Sequence, residues 1–219
     1  RDGRMEQAEV EFLQVAYGRH SEFHVSAKFS LAQLYLERGN PEMVLEVLSR
    51  ADGSLFEVPE ANRVKGDALY LVGRNHEALA SWDQASRMGL LESPELSLRR
   101  AVALSRVGQL AAAEALLEEL ELRNGADTAL LELKASLRMA NDDWEGAHKI
   151  LQRAQDNDPN SAMIAFQLGW AAENLGLIEL SEANYNKAVR LDPSLHEAYS
   201  GLGWLYYQRE QYSEALVLF

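Results

Sequence analysis

The sequence predicts an all-α fold built from a row of antiparallel helical hairpins. Alanine, leucine and glutamate dominate a chain of 219 residues that contains only five prolines, and this composition favours helix. Short turn-forming stretches, among them LVGRNHEA, RVGQLAAA and NLGLIELS, recur between apolar helical patterns. Recurrence at a fixed interval is typical of repeat architectures, in which each repeat is one supersecondary unit.

The interval is about 34 residues and persists along the chain. We therefore predict one domain over residues 1–219 with about six repeats. A second helix of a leading partial repeat occupies 1–24, full repeats occupy 25–58, 59–93, 94–127, 128–161 and 162–195, and a truncated repeat occupies 196–219. Neither end shows a capping repeat with a polar outer face, so we expect the chain to be part of a longer array of repeats.

Small and large residues recur at fixed places within the repeat. The eighth place holds only alanine or glycine: Ala32, Gly66, Ala101, Ala135, Gly169 and Gly203. The twenty-fourth place holds a large residue: Leu48, Trp82, Leu117, Leu151, Tyr185 and Phe219. Two helices approach closely only where one side chain is small, so the eighth place is predicted to be the contact inside each hairpin. The large residues are predicted to fill the gaps between neighbouring hairpins.

Turn signals separate the predicted helices. Glycines suited to a left-handed helix C-terminus lie between the two helices of four hairpins: Gly39, Gly73, Gly108 and Gly176. The pair Asp142–Asp143 lies where a helix N-cap is needed. Ser194 with Glu197 has the spacing of a capping box, which predicts that Ser194 opens the last repeat.

These residues resemble the tetratricopeptide repeat. The stretch AYSGLGWLYYQREQYSEALVLF supplies the family pattern as Tyr199, Leu202, Gly203, Tyr206, Ala215 and Phe219. The resemblance covers essentially the whole chain, although Arg138 stands where an apolar residue is usual, and Phe56 and Leu90 stand where proline is usual. It implies a right-handed α-α superhelix, or solenoid, in which the first helix of each hairpin lines a concave groove.

The resemblance also indicates which residues face that groove. The candidate partner-binding residues are Phe29, Gln33, Arg63, Asp67, Tyr70, Leu98, Arg99, Val102, Phe166, Trp170, Trp204 and Tyr207. Aromatic side chains are the usual anchors of protein interfaces, and exposed apolar patches usually mark binding surfaces. Trp170 and Trp204 occupy the same place in adjacent repeats, so the alternative is that the two rings stack on each other.

The charge of the chain bears on the class of partner. The net charge is −13, which disfavours nucleic acid and anionic membrane surfaces. Acids also outnumber bases at the groove places, with Glu37, Glu60, Asp67, Glu95, Glu132, Glu173 and Glu197 against Arg63, Arg99 and Arg106. We therefore expect a protein or peptide segment that is apolar or amphipathic, with basic residues compatible with the groove. The places of the carboxylate clamp known in this family retain only Arg99, so a free acidic C-terminus is not the expected ligand.

The sequence contains no constellation that predicts catalysis, a cofactor or a metal. Cysteine is absent, and no nucleotide-binding glycine loop or nucleophile elbow occurs. His20 and His24 have a spacing that suits a metal, but the stretch RHSEFH falls at a predicted turn without a third ligand. No apolar run reaches the length of about 18 residues that a membrane span needs.

We therefore predict a non-catalytic scaffold for protein interactions. The degenerate repeats are similar to those of bacterial arrays in envelope machinery, such as pilus assembly or exopolysaccharide export, which favours the bacterial cytoplasm or periplasm. Two alternatives stay open. In the first alternative, the chain is the substrate-recognition arm of a larger enzyme, such as a glycosyltransferase. In the second, its aromatic surface mediates self-association.

Overall fold

The computed structural model describes residues 2–17, 24–50 and 53–219, and these residues form helices joined by short turns. The helices are α1 Asp2–Tyr17, α2 His24–Glu37, α3 Pro41–Ser49, α4 Pro59–Leu71, α5 Asn75–Arg87, α6 Pro94–Arg106, α7 Leu110–Asn124, α8 Thr128–Ala140, α9 Trp144–Asn157, α10 Ala162–Asn174, α11 Ile178–Leu191, α12 His196–Gln208 and α13 Tyr212–Leu218. One 3₁₀ helix spans Gly53–Glu57, and the described residues contain no strand. The prediction of an all-α fold is confirmed.

The helix starts follow the period of the sequence. The first helices of five hairpins begin at the predicted residues Pro59, Pro94, Thr128, Ala162 and His196. The remaining first helix, α2, begins at His24, one residue before the predicted start. Helix α1 precedes α2 and packs against it.

The chain forms two compact units, residues 1–113 and 114–219, and α7 crosses the boundary. Buried side chains in the first unit include Leu31, Tyr35, Leu48 and Val64 from helices α2 to α4. Those in the second unit include Leu131, Leu151, Ile164 and Leu168 from helices α8 to α10. Burying one such side chain contributes about 1.5–3 kcal/mol, so each unit is stabilised chiefly by packing between helices.

Every hairpin turn places one residue in the left-handed region, always at the fifteenth place of the repeat. Four of these residues are the predicted glycines, with φ of 68° at Gly39, 79° at Gly73 and Gly108, and 73° at Gly176. The other two hairpins use Asp142 and Glu210, with φ of 58° and 61°. A residue other than glycine adopts this conformation at a cost of about 1–2 kcal/mol. The packing of the helices that these two turns join therefore holds them in place.

The two predicted caps have different outcomes. Asp143 caps α9, because its carboxylate accepts a hydrogen bond from the Gly146 amide at 2.9 Å. The capping box at Ser194 is wrong: Leu195 occupies the N-cap of α12, and the Ser194 hydroxyl donates to the Asp192 carboxylate at 2.7 Å. An aspartate two residues earlier competes for the serine by forming a local turn of its own.

The contact predicted at the eighth place is confirmed. Where this place holds glycine, the glycine backbone lies against an aromatic ring of the second helix. A methyl group added at Gly66 would lie 2.4 Å from Cδ1 of Trp82, and one added at Gly169 would lie 2.6 Å from Cδ1 of Tyr185. Glycine at the eighth place thus makes room for an aromatic ring from the second helix of the same hairpin. Where the eighth place holds alanine, the twenty-fourth holds leucine, as in Ala32 with Leu48.

The large residue also acts between hairpins, as the sequence predicts. A methyl group at Gly201, in the next hairpin, would lie 2.6 Å from Cζ of Tyr185. The Tyr185 ring therefore fills a slot between two glycines, Gly169 on α10 and Gly201 on α12. Its side chain is 1% exposed, and it joins two consecutive hairpins of the second unit.

Candidate partner-binding clefts

Eight of the twelve residues predicted to bind a partner line two clefts, one in each unit. The charged cleft, of about 390 Å³, is lined by Gln33, Leu36 and Glu37 of α2, Arg63, Val64, Asp67, Tyr70 and Leu71 of α4, and Arg99 of α6. The aromatic cleft, of about 670 Å³, is lined by Phe166, Trp170 and Glu173 of α10, Tyr185 of α11, and His196, Glu197, Ser200, Gly201 and Trp204 of α12. In both, the walls are consecutive first helices, which is the side that the family resemblance assigns to partners.

Asp67 organises the charged cleft from a buried position. Its side chain is 4% exposed, and it accepts hydrogen bonds from Arg63 at 2.7 Å, Trp82 Nε1 at 3.1 Å and Arg99 at 3.4 Å. Burial raises the pKa of Asp67 above its ordinary value, while the two arginines and the indole act in the opposite direction. The cations of this cleft therefore already face a carboxylate of the protein.

The other predicted residues of the first unit are held by their neighbours to different degrees. The Tyr70 ring lies 5.8 Å from the Trp82 ring, and the Arg106 guanidinium lies 5.2 Å from the centre of the Tyr70 ring. Phe29 packs against the core of the first unit. Leu98 and Val102 are half-buried on α6 and lie outside the lining of the charged cleft.

Tyr185 forms the base of the aromatic cleft and orients an acid within it. Its hydroxyl donates to Oε2 of Glu173 at 2.7 Å. Burial, reinforced by this bond to a carboxylate, raises the pKa of Tyr185 far above its ordinary value. The Phe166 ring lies beside it, 5.8 Å from the Tyr185 ring. The cleft thus has an apolar base and a carboxylate fixed at its side.

The two tryptophans of the aromatic cleft are held by different rings. Trp170 meets Trp144 edge to face, with ring centres 5.4 Å apart. Trp204 stacks on Tyr207 at 5.5 Å, and Tyr207 in turn meets Tyr212 edge to face. Trp170 and Trp204 nevertheless remain 42% and 48% exposed. Their ring partners are thus not each other, and both present aromatic surface to the cleft.

The acids of the aromatic cleft form no ion pair within the described part of the chain. Neither Glu173 nor Glu197 forms an ion pair with any described residue, and the lining contains no lysine or arginine. Two of the bases counted in the groove from sequence, Arg63 and Arg99, line the charged cleft. Among the groove acids, Glu37 and Asp67 line the charged cleft beside these two arginines, whereas Glu173 and Glu197 line the aromatic cleft without a lysine or arginine.

Two functional features are missed by sequence reasoning. Trp144 is not among the predicted residues, because it opens a second helix while the groove places belong to first helices. The sequence pattern assigns Tyr185 only to packing and does not predict its hydrogen bond to Glu173. A signal for Tyr185 is nevertheless present, since glycine occupies both Gly169 and Gly201, the two positions that its ring contacts.

The structure bears on two further sequence features. His20 lies outside the described residues, so the spacing of His20 and His24 is not placed in three dimensions. Within residues 2–17, 24–50 and 53–219, no three His, Cys, Asp or Glu side chains are grouped as metal ligands would be. In the same ranges no helix combines the length and apolarity needed to cross a membrane.

Comparison with protein families and curated proteins gives two matches. A tetratricopeptide repeat model matches residues 63–129 and 132–196, together more than half of the chain. The SGT1 homolog of Oryza sativa subsp. japonica is 34% identical over 85 residues, which cover 39% of this chain and 23% of that protein. The chain therefore spans less than a quarter of the length of this curated relative.

Solved structures are similar in fold. A MamA RS-1 double mutant superposes with a TM-score of 0.64 at 19% identity, covering 74% of this chain and 90% of the other. MamA from residue 41 onward of Desulfovibrio magneticus RS-1 gives 0.56 at 18%, covering 89% and 90%. YrrB, described as a TPR protein with an unusual peptide-binding site, gives 0.57 at 18%, covering 74% and 83%. At these identities the likeness concerns the fold alone.

Proposed function

The chain belongs to the tetratricopeptide repeat family, a family of protein-interaction scaffolds, and we propose that it binds a segment of a partner protein in its aromatic cleft. The observation that carries the proposal is the pair Trp170 and Trp204, which stay 42% and 48% exposed while lining an open cleft of about 670 Å³. Large aromatic side chains that remain exposed at a concave site are typical anchors for a partner.

The lining favours an apolar or amphipathic segment. Apolar parts of the partner segment would lie against Phe166 and the exposed faces of the two tryptophans, where burial removes apolar surface from water. Glu173 and Glu197 then disfavour an acidic segment and are compatible with a basic one. YrrB, a neighbour in fold, is described as having an unusual peptide-binding site, which supports a peptide segment as the class of ligand.

We assign the charged cleft a secondary role. Arg63 and Arg99 are 35% and 47% exposed, so they can contact polar groups of a partner at the first unit, together with Gln33 and Tyr70. Both arginines are engaged by Asp67, and their contribution to affinity is therefore expected to be smaller than that of the tryptophans.

A role in a bacterial envelope assembly, such as pilus or exopolysaccharide export machinery, is the biological setting that we propose for this scaffold. Self-association is a second candidate function, because Trp204 and Tyr207 form an aromatic surface that is about half exposed. Light scattering over a range of concentrations tests it: a strictly monomeric chain eliminates self-association and leaves the partner segment.

A selection experiment tests the main proposal and does not require the partner to be identified. A random peptide library is panned on the full chain, and the selected peptides are measured against Trp170→Ala/Trp204→Ala. We expect loss of capture in this variant, with an unchanged helical circular dichroism spectrum. The matched control is Leu122→Ala/Leu180→Ala, which removes two exposed leucines outside the cleft in the same unit and should bind normally. Unchanged capture by the tryptophan variant would refute the proposal.

A further inference from the structure

We infer that the aromatic cleft recognises its partner through a cationic side chain, arginine or lysine, inserted between its indole and carboxylate groups. This inference rests on the proposed function and deepens it, because it specifies which residue of the partner segment is the anchor. It is carried by the acids of the cleft, which form no ion pair with the described residues, by the aromatic surface beside them and by the contrast with the charged cleft.

Each wall of the aromatic cleft supplies one carboxylate and one indole. Helix α10 contributes Trp170 and Glu173, which are three residues apart and lie on the same side of the helix. Helix α12 contributes Glu197 and Trp204, seven residues apart, which also places them on one side. All four side chains line the cleft, so an incoming group meets aromatic surface and negative charge from both walls.

A cation is the group that both features attract. A guanidinium or ammonium over an indole face gains about 0.5–1 kcal/mol at exposed sites and more when water is excluded. Glu173 and Glu197 form no ion pair with the described residues, so no internal ion pair has to break when such a group arrives. An apolar anchor alone would leave Glu173 beside an apolar group and partly stripped of water, which is unfavourable.

In the charged cleft, by contrast, cations of the chain itself already neutralise the acid. There Asp67 is bound by Arg63 and Arg99 of the chain itself. At the matching repeat places the aromatic cleft has Phe166 instead of Arg63 and Gly201 instead of Arg99. The second unit thus lacks a cation at both places. The place of Asp67 holds Trp170, and Glu173 stands instead at the place of Tyr70, so the aromatic cleft has an acid without the two arginines, and the partner supplies the positive charge.

Tyr185 acts as a positioning residue for this recognition. Its hydroxyl holds Oε2 of Glu173 at 2.7 Å, which fixes the carboxylate at the cleft and leaves Oε1 to accept from a ligand. The tyrosine is fully packed between Gly169 and Gly201, so Glu173 is oriented before the partner binds. An acid fixed in this way loses less conformational entropy on binding than a free surface glutamate.

The test uses small probes on the full chain, observed through the indole N–H signals of Trp170 and Trp204 in two-dimensional NMR. The probes are Nα-acetyl-arginine amide and Nα-acetyl-lysine amide, and Nα-acetyl-citrulline amide is the neutral match of the arginine probe. We expect both cationic probes to shift the two signals saturably, with dissociation constants on the order of millimolar, and the citrulline probe to shift them much less. The Trp82 signal should not move.

Variants then distinguish the effect of a charge that lines the cleft from the effect of the overall charge of the protein on probe binding. Glu173→Gln should weaken binding of the arginine probe about fivefold, whereas Glu179→Gln, an exposed change of equal charge on α11, should leave it unaltered. Tyr185→Phe should also weaken the arginine probe while leaving the weak citrulline response unchanged, since it removes the hydroxyl that orients Glu173.

Three results would overturn the inference: citrulline binding as tightly as arginine, no saturable shift with either cation, or equal weakening by the two glutamine variants. These outcomes leave the proposed function intact as long as library-selected peptides are still lost in Trp170→Ala/Trp204→Ala. If those peptides bind the tryptophan variant normally, the proposed function itself fails, whatever the cationic probes do.

Discussion

The charged cleft and the aromatic cleft share one backbone arrangement and differ in most of the side chains that line them. In each, glycine at the eighth place of the repeat seats an aromatic ring from the second helix. The polar atom of that ring donates to an acid of the first helix, Trp82 to Asp67 in one unit and Tyr185 to Glu173 in the other. The same local packing therefore produces two sites of different chemistry.

The difference lies in how each acid is neutralised. Asp67 is buried and held by two arginines, so the charged cleft is balanced before any partner arrives. Glu173 is only half-buried, receives one hydroxyl and has no ion pair with the described residues. A polar group whose partners are internal contributes to stability, whereas one without them is available for binding. The comparison predicts that the first acid is structural and the second is functional.

The largest expected effect tests the shared framework. Trp82→Ala and Tyr185→Ala should each lower the free energy of unfolding by about 3–5 kcal/mol, because both remove a ring that is at most 1% exposed and leave a cavity. Urea unfolding followed by circular dichroism measures the loss. A loss below about 1 kcal/mol at one position would mean that the two units are not built alike.

The second prediction separates the two acids. Asp67→Ala should cost about 2 kcal/mol, because it strands the buried Trp82 indole N–H without an acceptor. Glu173→Ala should cost less than about 1 kcal/mol, because water in the open cleft can replace the carboxylate at the Tyr185 hydroxyl. The measurement is again urea unfolding, with Glu179→Ala as the surface control. Equal losses at the two acids would remove the distinction between them.

The sequence predicts those features of the fold that recur with the repeat. Helix starts, left-handed turns and the contact of the eighth place with the twenty-fourth recur along the repeats, so one pattern predicts all of them. The environment of Asp67 could not be predicted in the same way, because Arg99 lies 32 residues away and occupies a different place in its own repeat. Trp144 is missed for a related reason: its contact with Trp170 joins a second helix to the first helix of the next hairpin.

The third prediction concerns acid sensitivity, for which each unit has one comparable carboxylate. Hydrogen bonds from Tyr35 and Arg38 lower the pKa of Glu9 below its ordinary 4.5. Those from Lys134 and Arg153 do the same for the pKa of Glu121. A lowered pKa in the folded state means that each ionised acid stabilises the fold above pH 4.5, and that this contribution is lost as the pH falls through the folded-state value.

Glu9→Gln and Glu121→Gln should therefore each reduce stability by about 1 kcal/mol at neutral pH and by progressively less in acid. Urea midpoints recorded from about pH 7 down to about pH 3 provide the measurement. A constant difference between variant and wild type across this range would contradict the assignment, because a purely steric effect does not titrate.

The smallest expected effect compares two turns. Glu210→Gly should stabilise the chain by about 0.5–1 kcal/mol, because glycine adopts the left-handed conformation at φ 61° without strain. Gly73→Ala should destabilise it by about 1 kcal/mol, since alanine is strained at φ 79°. Thermal unfolding detects both shifts. If the melting temperature moves in the same direction in both variants, the two turns do not respond to glycine in the same way and are not equivalent.

The central claim is that the aromatic cleft, and not the charged cleft, anchors the partner. Its most direct test is the affinity of library-selected peptides for Trp170→Ala/Trp204→Ala and for Arg63→Ala/Arg99→Ala, measured side by side on folded protein. The account predicts a loss of at least about tenfold for the tryptophan variant and less than about threefold for the arginine variant. A greater loss in the arginine variant would contradict it.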